Sequence, residues 1–198
     1  MAKIKLTKNE LKRQKDALKR YERYLPTLQL KKQQLQLVIT QVEARVAEAW
    51  NRKQALLEGV SAWRRLFGED VRLENLVKVR EVRTGETNIA GVDIPTFEGV
   101  DWEPPAYDLY VLPVWVDDAV LFLRELLAVE AEIMVLEEQK RRLSEELRIT
   151  SQRVNLFEKV KIPETRDHIR RITIYLGDQQ TAAVVRGKIA KKKLEARA

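Results

Sequence analysis

The sequence predicts a mainly α fold, in which two long helices form an antiparallel coiled coil with a small β-containing insert at its tip. Three features support this prediction. Apolar residues recur at heptad spacing along both ends of the chain, and a segment with glycines and prolines separates the two ends. Charged residues make up 34% of the chain and aromatic residues only 7%, a composition that suits long solvent-exposed helices better than a thick globular core.

The first predicted helix occupies an N-terminal domain, residues 1–77. A 3.5-residue apolar repeat keeps one stripe facing a partner helix, which is the pattern of a coiled coil. The start of this helix resembles a capping box, with Thr7 followed by Glu10 three residues later. Two heptad positions form the seam of this helix. The first position holds Ile4, Leu11, Leu18, Leu25, Lys32, Ile39, Val46, Lys53, Val60 and Phe67. The second position holds Thr7, Gln14, Tyr21, Leu28, Leu35, Val42, Ala49, Leu56 and Trp63.

The second predicted helix occupies a C-terminal domain, residues 117–198. Asp117 and Asp118 suit its beginning, as caps and as negative charges at the positive end of the helix dipole. Beyond Pro163 the apolar stripe shifts by one residue and continues as Ile169, Ile172, Leu176 and Ala183. Before it, the seams hold Ala119, Leu126, Ile133, Lys140, Leu147 and Val154, and Phe122, Val129, Leu136, Leu143, Thr150 and Phe157.

The insert, residues 78–116, differs from the two predicted helices in its spacing of apolar residues and its content of glycine and proline. Val77, Val79 and Val82 recur at short spacing, and a glycine-containing segment (TGETNIAGV, residues 84–92) follows. Alternation followed by glycine predicts a β-hairpin. Pro95, Pro104, Pro105 and Pro113 exclude a long helix here. Trp102 and Trp115 could anchor a small core of the insert or contact a partner, whereas Trp50 and Trp63 are expected to pack in the first seam.

Prolines interrupt both predicted helices. An interior proline costs about 3 kcal/mol and usually kinks a helix. If Phe67 lies level with roughly residue 120 of the second helix, Pro26 faces about residue 161. The predicted kinks at Pro26 and Pro163 then fall at nearly the same height, which supports antiparallel pairing of the helices.

The sequence offers no candidate catalytic, cofactor-binding or metal-binding residues. A chain with a single histidine, His168, is improbable as a histidine-based metal centre or a Ser-His-Asp triad, and we expect His168 to lie on the surface. The phosphate-binding loop pattern is missing, since Gly187-Lys188 has neither the upstream glycine nor the following Ser or Thr. Carboxylates are spread over the heptad flanks, where solvated faces or ion pairs are expected.

Composition also bounds the location of the chain. It has no cysteine, so a reducing cytoplasmic setting is the simplest expectation. The first sixteen residues have no apolar core of a secretory signal, and the longest apolar stretch, residues 109–116, is far short of the roughly 20 residues that span a bilayer. Any membrane association is therefore expected to go through a partner protein.

Charge is distributed unevenly. Residues 1–32 carry +8 and residues 186–198 carry +5, so that the remainder carries −6. Basic ends can bind nucleic acid or an acidic protein surface. The run Lys191-Lys192-Lys193 could contact phosphates, but no interleaved aromatic residues or nucleic-acid-binding motif accompany it. A protein-contact surface is therefore favoured, with a coiled-coil scaffold or nucleic-acid-associated protein as the alternative.

Several segments resemble the D subunit of the V-type and A-type ATP synthases, particularly the bacterial branch. Near the N-terminus these are residues 5–9 (KLTKN) and 25–32 (LPTLQLKK). Near the end of the second helix they are residues 153–159 (RVNLFEK) and 162–165 (IPET), followed by the lysine-rich residues 187–193. The resemblance covers both helical arms, whereas the insert matches only in position and size.

The resemblance implies a non-catalytic central-stalk rotor, peripheral to the membrane on the cytoplasmic side. Its joined termini would enter the hexamer of catalytic A and B subunits, the small F subunit would bind its side, and its lower end would dock on a funnel-shaped subunit above the membrane ring. Neither nucleic-acid binding nor direct membrane insertion is expected. The predicted partner-contact residues are Lys3, Lys5, Lys8, Arg186, Lys188, Lys191 and Lys192.

Overall fold

The computed structural model describes residues 4–61, 64–69, 71, 73, 76–104 and 112–196. The fold is mainly helical with one two-stranded sheet, as predicted. In chain order the elements are α1 (Lys8–Gly59), a short 3-10 helix (Arg64–Gly68), β1 (Val79–Ile89), β2 (Val92–Trp102), α2 (Trp115–Asn155), a π-helical segment (Leu156–Lys161) and α3 (Ile162–Glu195). The π-helical segment is called the π turn below.

Cα packing divides the chain into two compact units. Unit 1 comprises Met1–Lys32 and Ile149–Ala198, and unit 2 comprises Gln33–Arg148. Unit 1 therefore holds the first part of α1, the end of α2, the π turn and α3. Unit 2 holds the rest of α1, the β-hairpin and most of α2.

The heptad seams are confirmed by burial. Every seam position of α1 from Leu11 to Leu56 is buried or half-buried, and the same holds for α2 seam positions from Ala119 to Val154. The beginning of α1 is also as predicted, because the Glu10 backbone N–H donates to the Thr7 hydroxyl oxygen at 3.3 Å. The hydroxyl thereby satisfies one of the N–H groups that a helix start leaves without an intrahelical partner.

Helix α1 ends earlier than its heptad pattern predicts. The repeat continues in the sequence to Phe67, but the helix stops at Gly59, where glycine costs about 1 kcal/mol relative to alanine. The Phe67 ring centroid lies 5.9 Å from that of Trp115 and 6.3 Å from that of Phe122. The predicted level of Phe67, near residue 120, is therefore confirmed. Trp63 lies outside the described residues.

The insert forms an antiparallel β-hairpin, as expected. The chain reverses at Ala90 and Gly91, both with positive φ (52° and 78°), the conformation that a two-residue hairpin loop of type I′ requires. Gly85 lies inside β1, opposite Thr96. The Asn88 side chain stabilises the reversal, because its carbonyl oxygen accepts the Gly91 N–H at 3.1 Å.

The hairpin packs along the two helices of unit 2 and joins their core. Ile94 is 2% exposed and clusters with Leu35, Val42 and Leu143, and hairpin residues Ile89, Ala90 and Val92 pack against this cluster. Gln139 of α2, 3% exposed, donates its side-chain amide to the Pro95 carbonyl oxygen at 2.5 Å. This interaction satisfies the buried amide, which would otherwise be costly to desolvate.

Cross-helix ion pairs show that the helices of unit 2 run antiparallel. Lys140 pairs with Glu43 at 2.8 Å, Arg52 with Glu132 at 2.7 Å and Lys53 with Glu130 at 2.5 Å, so that higher numbers on one helix meet lower numbers on the other. If the helices paired regularly with Phe67 opposite residue 120, Lys53 would lie opposite about residue 134. Its observed partner, Glu130, lies about one turn earlier in α2, because α1 ends at Gly59 and does not continue as an α-helix to Phe67.

Two details of the sequence interpretation are corrected. Trp50 does not pack in the core: it is 40% exposed, and Lys53 Nζ lies 4.5 Å from its ring centroid. Asp117 and Asp118 lie inside the first turn of α2, which begins at Trp115. They remain well placed to complement the helix dipole, but they do not occupy the capping position ahead of the helix.

The other tryptophans of the insert region interact within unit 2. The Trp115 indole N–H donates to Glu69 Oε2 at 3.1 Å, and the guanidinium carbon of Arg124 lies 5.7 Å from the Trp102 ring centroid. Both contacts favour the anchoring role over a partner contact for these two side chains.

Candidate functional site

The described basic residues that were predicted to contact partners belong to unit 1. Lys5 precedes α1, and Lys8 is its first residue. Arg186, Lys188, Lys191 and Lys192 lie on the last part of α3, and Lys3 lies outside the described residues. Their contact role stays a prediction.

The last part of α3 is a helix without cover in this structure. Every residue from Gly177 to Ala196 is exposed, including large apolar side chains at Val184, Val185, Ile189 and Leu194. Helices in proteins gain most of their stability from tertiary packing of an apolar face, and clustered exposed apolar side chains mark contact surfaces. Its cationic side chains accompany these apolar ones, so the surface suits a partner that is partly apolar and partly acidic.

A groove of about 770 Å³ lies beside the N-terminal residues of unit 1. Its walls carry both signs of charge and a few apolar side chains. The only histidine, His168, lies here with 21% of its side chain exposed, and its Nε2 is 4.0 Å from Glu164 Oε1. The lining residues are Ile4, Lys5, Glu10, Arg13 and Gln14 from the N-terminal side, and Lys159, Val160, Pro163, Glu164, Asp167, His168 and Arg171 from the later helix.

The π turn explains the one-residue shift in the apolar stripe. The Ile162 N–H donates to the Phe157 carbonyl oxygen, a bond spanning five residues instead of four. Before the turn, Thr150 and Val154 are buried, and after it Ile162, Thr165 and Ile172 are buried. Val154 and Ile162 are thus eight residues apart, one more than a heptad. In the sequence this feature is visible as the one-residue shift of the apolar stripe, and in the structure the π turn accommodates that extra residue.

Burial explains why the helix adopts a wide turn here. Without it, one surplus residue would rotate α3 by about 100° and turn Ile162 and Ile172 away from the seam. Burying an isoleucine is worth about 1.5–3 kcal/mol, whereas a backbone hydrogen bond contributes about 0.5–1.5 kcal/mol net. Retaining two buried isoleucines therefore outweighs a distorted turn.

Pro163 lies at the restart of the α-helix. A proline is well tolerated in a first helical turn, where its missing N–H is not needed. The Thr165 hydroxyl donates to the Lys161 carbonyl oxygen at 2.6 Å, which stabilises this junction. On the other side of unit 1, α1 continues through Pro26. Whether the helix axes bend at the two prolines stays a prediction.

The carboxylate with the most perturbed pKa, Glu138, belongs to unit 2. The guanidinium groups of Arg141 and Arg142 donate to Glu138 and lower its pKa from 4.5 to about 2. Arg148 lowers the pKa of Glu145 in the same way. Both are exposed ion pairs along one helix, and they hold the two carboxylates ionised. Carboxylates with such lowered pKa values are poorly suited to act as general bases near neutral pH.

Two other kinds of site are absent from the described residues. Among them, no group of three or more His, Cys, Asp or Glu side chains is arranged to hold a metal ion. No helix in the described part of the chain is long and apolar enough to cross a membrane.

Heptad-paired helices with an exposed basic helix end define a class of helical subunit that interacts through helix surfaces. Comparison with known proteins specifies it further. Residues 10–192 match the family described as the D subunit of ATP synthase. The V-type ATP synthase D subunit of Borreliella burgdorferi is 50% identical over 194 residues, covering 98% of this chain and 96% of that protein. The V-type ATP synthase D subunits of Chlamydia caviae and Chlamydia trachomatis serovar L2 are 36% and 34% identical, covering 98% and 97% of this chain and 95% and 96% of theirs.

The chain belongs to the ATP synthase D-subunit family. It is a subunit of a V-type ATP synthase, and the resemblance found in the sequence is confirmed. This membership also favours a protein assembly over nucleic acid as the setting of the basic ends.

Proposed function

We propose that this chain is the central-stalk rotor of a V-type ATP synthase. In this role it transmits torque between the hexamer of catalytic A and B subunits and the ion-translocating ring in the membrane. It is non-catalytic, binds the small F subunit of the stalk, and reaches the membrane only through a funnel-shaped subunit above the ring. It is cytoplasmic and peripheral to the membrane.

The observation that carries this proposal is the uncovered end of α3. From Gly177 onward the helix exposes apolar and cationic side chains together, and such a helix gains stability by entering a complementary cavity. A cavity in a ring of catalytic subunits supplies this cover. Paired helices also suit a shaft, because each seam stiffens the other helix and because transmitting torque requires no reactive groups.

The test removes residues 186–198 and measures ATP hydrolysis and ATP-driven ion pumping in the reconstituted complex. The deleted residues are exposed at every described position, so far-UV circular dichroism of the isolated variant should show the rest of the helices intact. We expect pumping to fall more than hydrolysis, because a weakened grip lets the catalytic cycle slip. The isolated full-length chain should hydrolyse no ATP.

A matched variant separates charge from helix length. Arg186, Lys188, Lys191 and Lys192 are replaced together by glutamine, which keeps the helix and removes four positive charges. If the rotor proposal holds, this variant has an intermediate coupling defect that shrinks at high salt, since exposed charges are screened. Unchanged pumping per ATP in the truncated complex, together with a loss of salt-sensitive nucleic-acid binding, would favour the nucleic-acid-associated alternative.

A further inference from the structure

The π turn contains one residue more than the seam of unit 1 requires. The seam steps from Phe157 to Ile162 in five residues, whereas regular steps are three or four. Removing one residue from the turn would give a step of four. The buried residues on both sides would then fall on one uninterrupted heptad face: Thr150 and Val154 before the turn, and Ile162, Thr165 and Ile172 after it. The surplus residue thus adds nothing to the heptad register of the seam.

The turn is also weakly held along its length. All six of its residues are described, and none is buried. Leu156 and Val160 are 44% and 47% exposed. Pro163, two residues past the end of the turn, has no N–H to donate, so no backbone hydrogen bond from this residue reinforces the wide turn.

Contacts from α1 bracket the turn. The Tyr21 ring lies 5.1 Å, centroid to centroid, from that of Phe157 near the beginning of the turn. The neighbouring residue Glu22 accepts a hydrogen bond from Arg166 Nη2 at 2.8 Å, beyond the end of the turn. Two adjacent residues of one helix therefore contact the chain at the start of the turn and five residues beyond its end, while Glu158 and Lys159 between these contacts are exposed.

We propose that the π turn is a yielding point of unit 1, a helical segment one residue longer than the fold requires, at which the helix twists or bends while the seam on either side stays packed. This device rests on the proposed rotor function only for its role in torque transmission. Its mechanical part, a surplus residue in a weakly held turn, concerns the isolated chain.

The first test changes chain length by one residue. Deleting Glu158 should leave the melting temperature within about 3 °C of the parent, because the shortened segment closes into a regular α-helix with its seam intact. Deleting Met134, another exposed position but in regular helix between Ile133 and Leu136 of unit 2, should lower it by more than about 8 °C. Inserting an alanine after Glu158 should also lower it, because two surplus residues exceed what one π turn absorbs.

This asymmetry distinguishes a register surplus from a loose segment. A loose segment would tolerate the insertion as well as the deletion, and that result would overturn the proposal. A loss of stability on deleting Glu158 as large as that on deleting Met134 would overturn it too, because it would show that the seam needs the extra residue.

Hydrogen exchange of the unaltered protein provides a measurement that does not depend on any variant folding. The amides of Lys161 and Ile162 should exchange at least about tenfold faster than that of Ile172, which lies in regular helix at a fully buried seam position. Deleting Glu158 should remove this difference. Equal exchange at these amides in the parent would contradict a yielding point.

The last arm uses the reconstituted V-type ATPase. Deletion of Glu158 should leave ATP hydrolysis within about twofold but lower the number of ions pumped per ATP, because the stalk can no longer yield at this turn. An unchanged ratio would exclude a role in coupling. If complexes lacking the entire chain pump as well as complete ones, the rotor proposal itself fails, and the stability and exchange results stand apart from it.

Discussion

The two units of this chain differ in how they bury their helices. In unit 2 the β-hairpin adds a third layer, so that Ile94 shares a core with residues of both helices, and three ion pairs bridge α1 and α2. Unit 1 has no comparable third element among its described residues. Its buried side chains, Thr150, Val154, Ile162, Thr165 and Ile172, follow a single seam that contains a π turn, and its last twenty described residues are exposed.

The difference indicates a division of roles. A third layer and cross-helix ion pairs fix the helices of unit 2 against each other. Unit 1 holds the π turn, the basic side chains predicted to contact partners and the uncovered helix end, which are features of a surface that meets other subunits. Changes in unit 2 should therefore act mainly on stability, whereas changes on the exposed surface of unit 1 should act mainly on assembly.

The largest expected effect tests the third layer directly. Replacing Ile94 by alanine removes three buried carbons where hairpin and helices meet, which should cost about 2–5 kcal/mol in the free energy of unfolding. The matched control is Ile174→Ala in unit 1, where the side chain is 55% exposed and the change should stay within about 0.5 kcal/mol. Urea unfolding followed by circular dichroism measures both. Equal effects would show that the hairpin adds no core.

The next comparison uses glycine to alanine in each unit, with opposite expected signs. Gly99, at a β-bulge of β2, has φ +145°, and a Cβ there would lie 3.0 Å from Arg83 Nη2. Alanine should cost about 1–3 kcal/mol. Gly177 lies inside α3 with nothing within 4 Å of an added Cβ, so alanine should stabilise by up to about 1 kcal/mol. Thermal melting of the two variants and the parent measures both effects. A higher melting temperature for Gly99→Ala would contradict the inference that the backbone is strained at Gly99.

Most of the helical architecture could be predicted from the sequence, because heptad spacing reports directly on which face is buried. The seams and the shifted stripe beyond Pro163 follow from periodicity, and the Thr7 cap follows from the capping-box spacing to Glu10. The π turn itself could not be predicted from periodicity, because a one-residue shift fixes the register of the apolar stripe but not the hydrogen bonding that accommodates the extra residue.

Other features depend on long-range packing that periodicity does not contain. Lys53 occupies a seam position, yet its ammonium group reaches Glu130 and the Trp50 ring. The sequence predicted a hairpin but contained no signal that Ile94 would enter the helical core. The contact residues at the basic ends stay predictions, because their partners are separate chains.

The smallest expected effect concerns the arginine that ties the hairpin to α2. Arg142 donates from Nη1 to the Asp93 carbonyl oxygen at 3.1 Å, and its Nε donates to Glu138 at 2.8 Å. Glu138 thus orients the side chain that holds the hairpin. Glu145 pairs with Arg148 on the same helix at 2.6 Å, and this pair provides the control.

Glu138→Gln should lower the melting temperature slightly at neutral pH, and this difference should fade as the pH falls through about 2. The folded-state pKa of Glu138, about 2, lies below its ordinary value of 4.5. Its stabilising contribution is therefore complete above pH 4.5 and is lost as the pH falls towards 2. The gap between parent and variant should close over this window, and exposure to solvent keeps it small. Glu145→Gln should show a pH dependence of the same sign, because Arg148 also lowers the pKa of Glu145, but only Glu138→Gln should speed amide exchange in β2. A gap that is constant from pH 7 to pH 2 would mean that the carboxylate charge does not hold Arg142 in place.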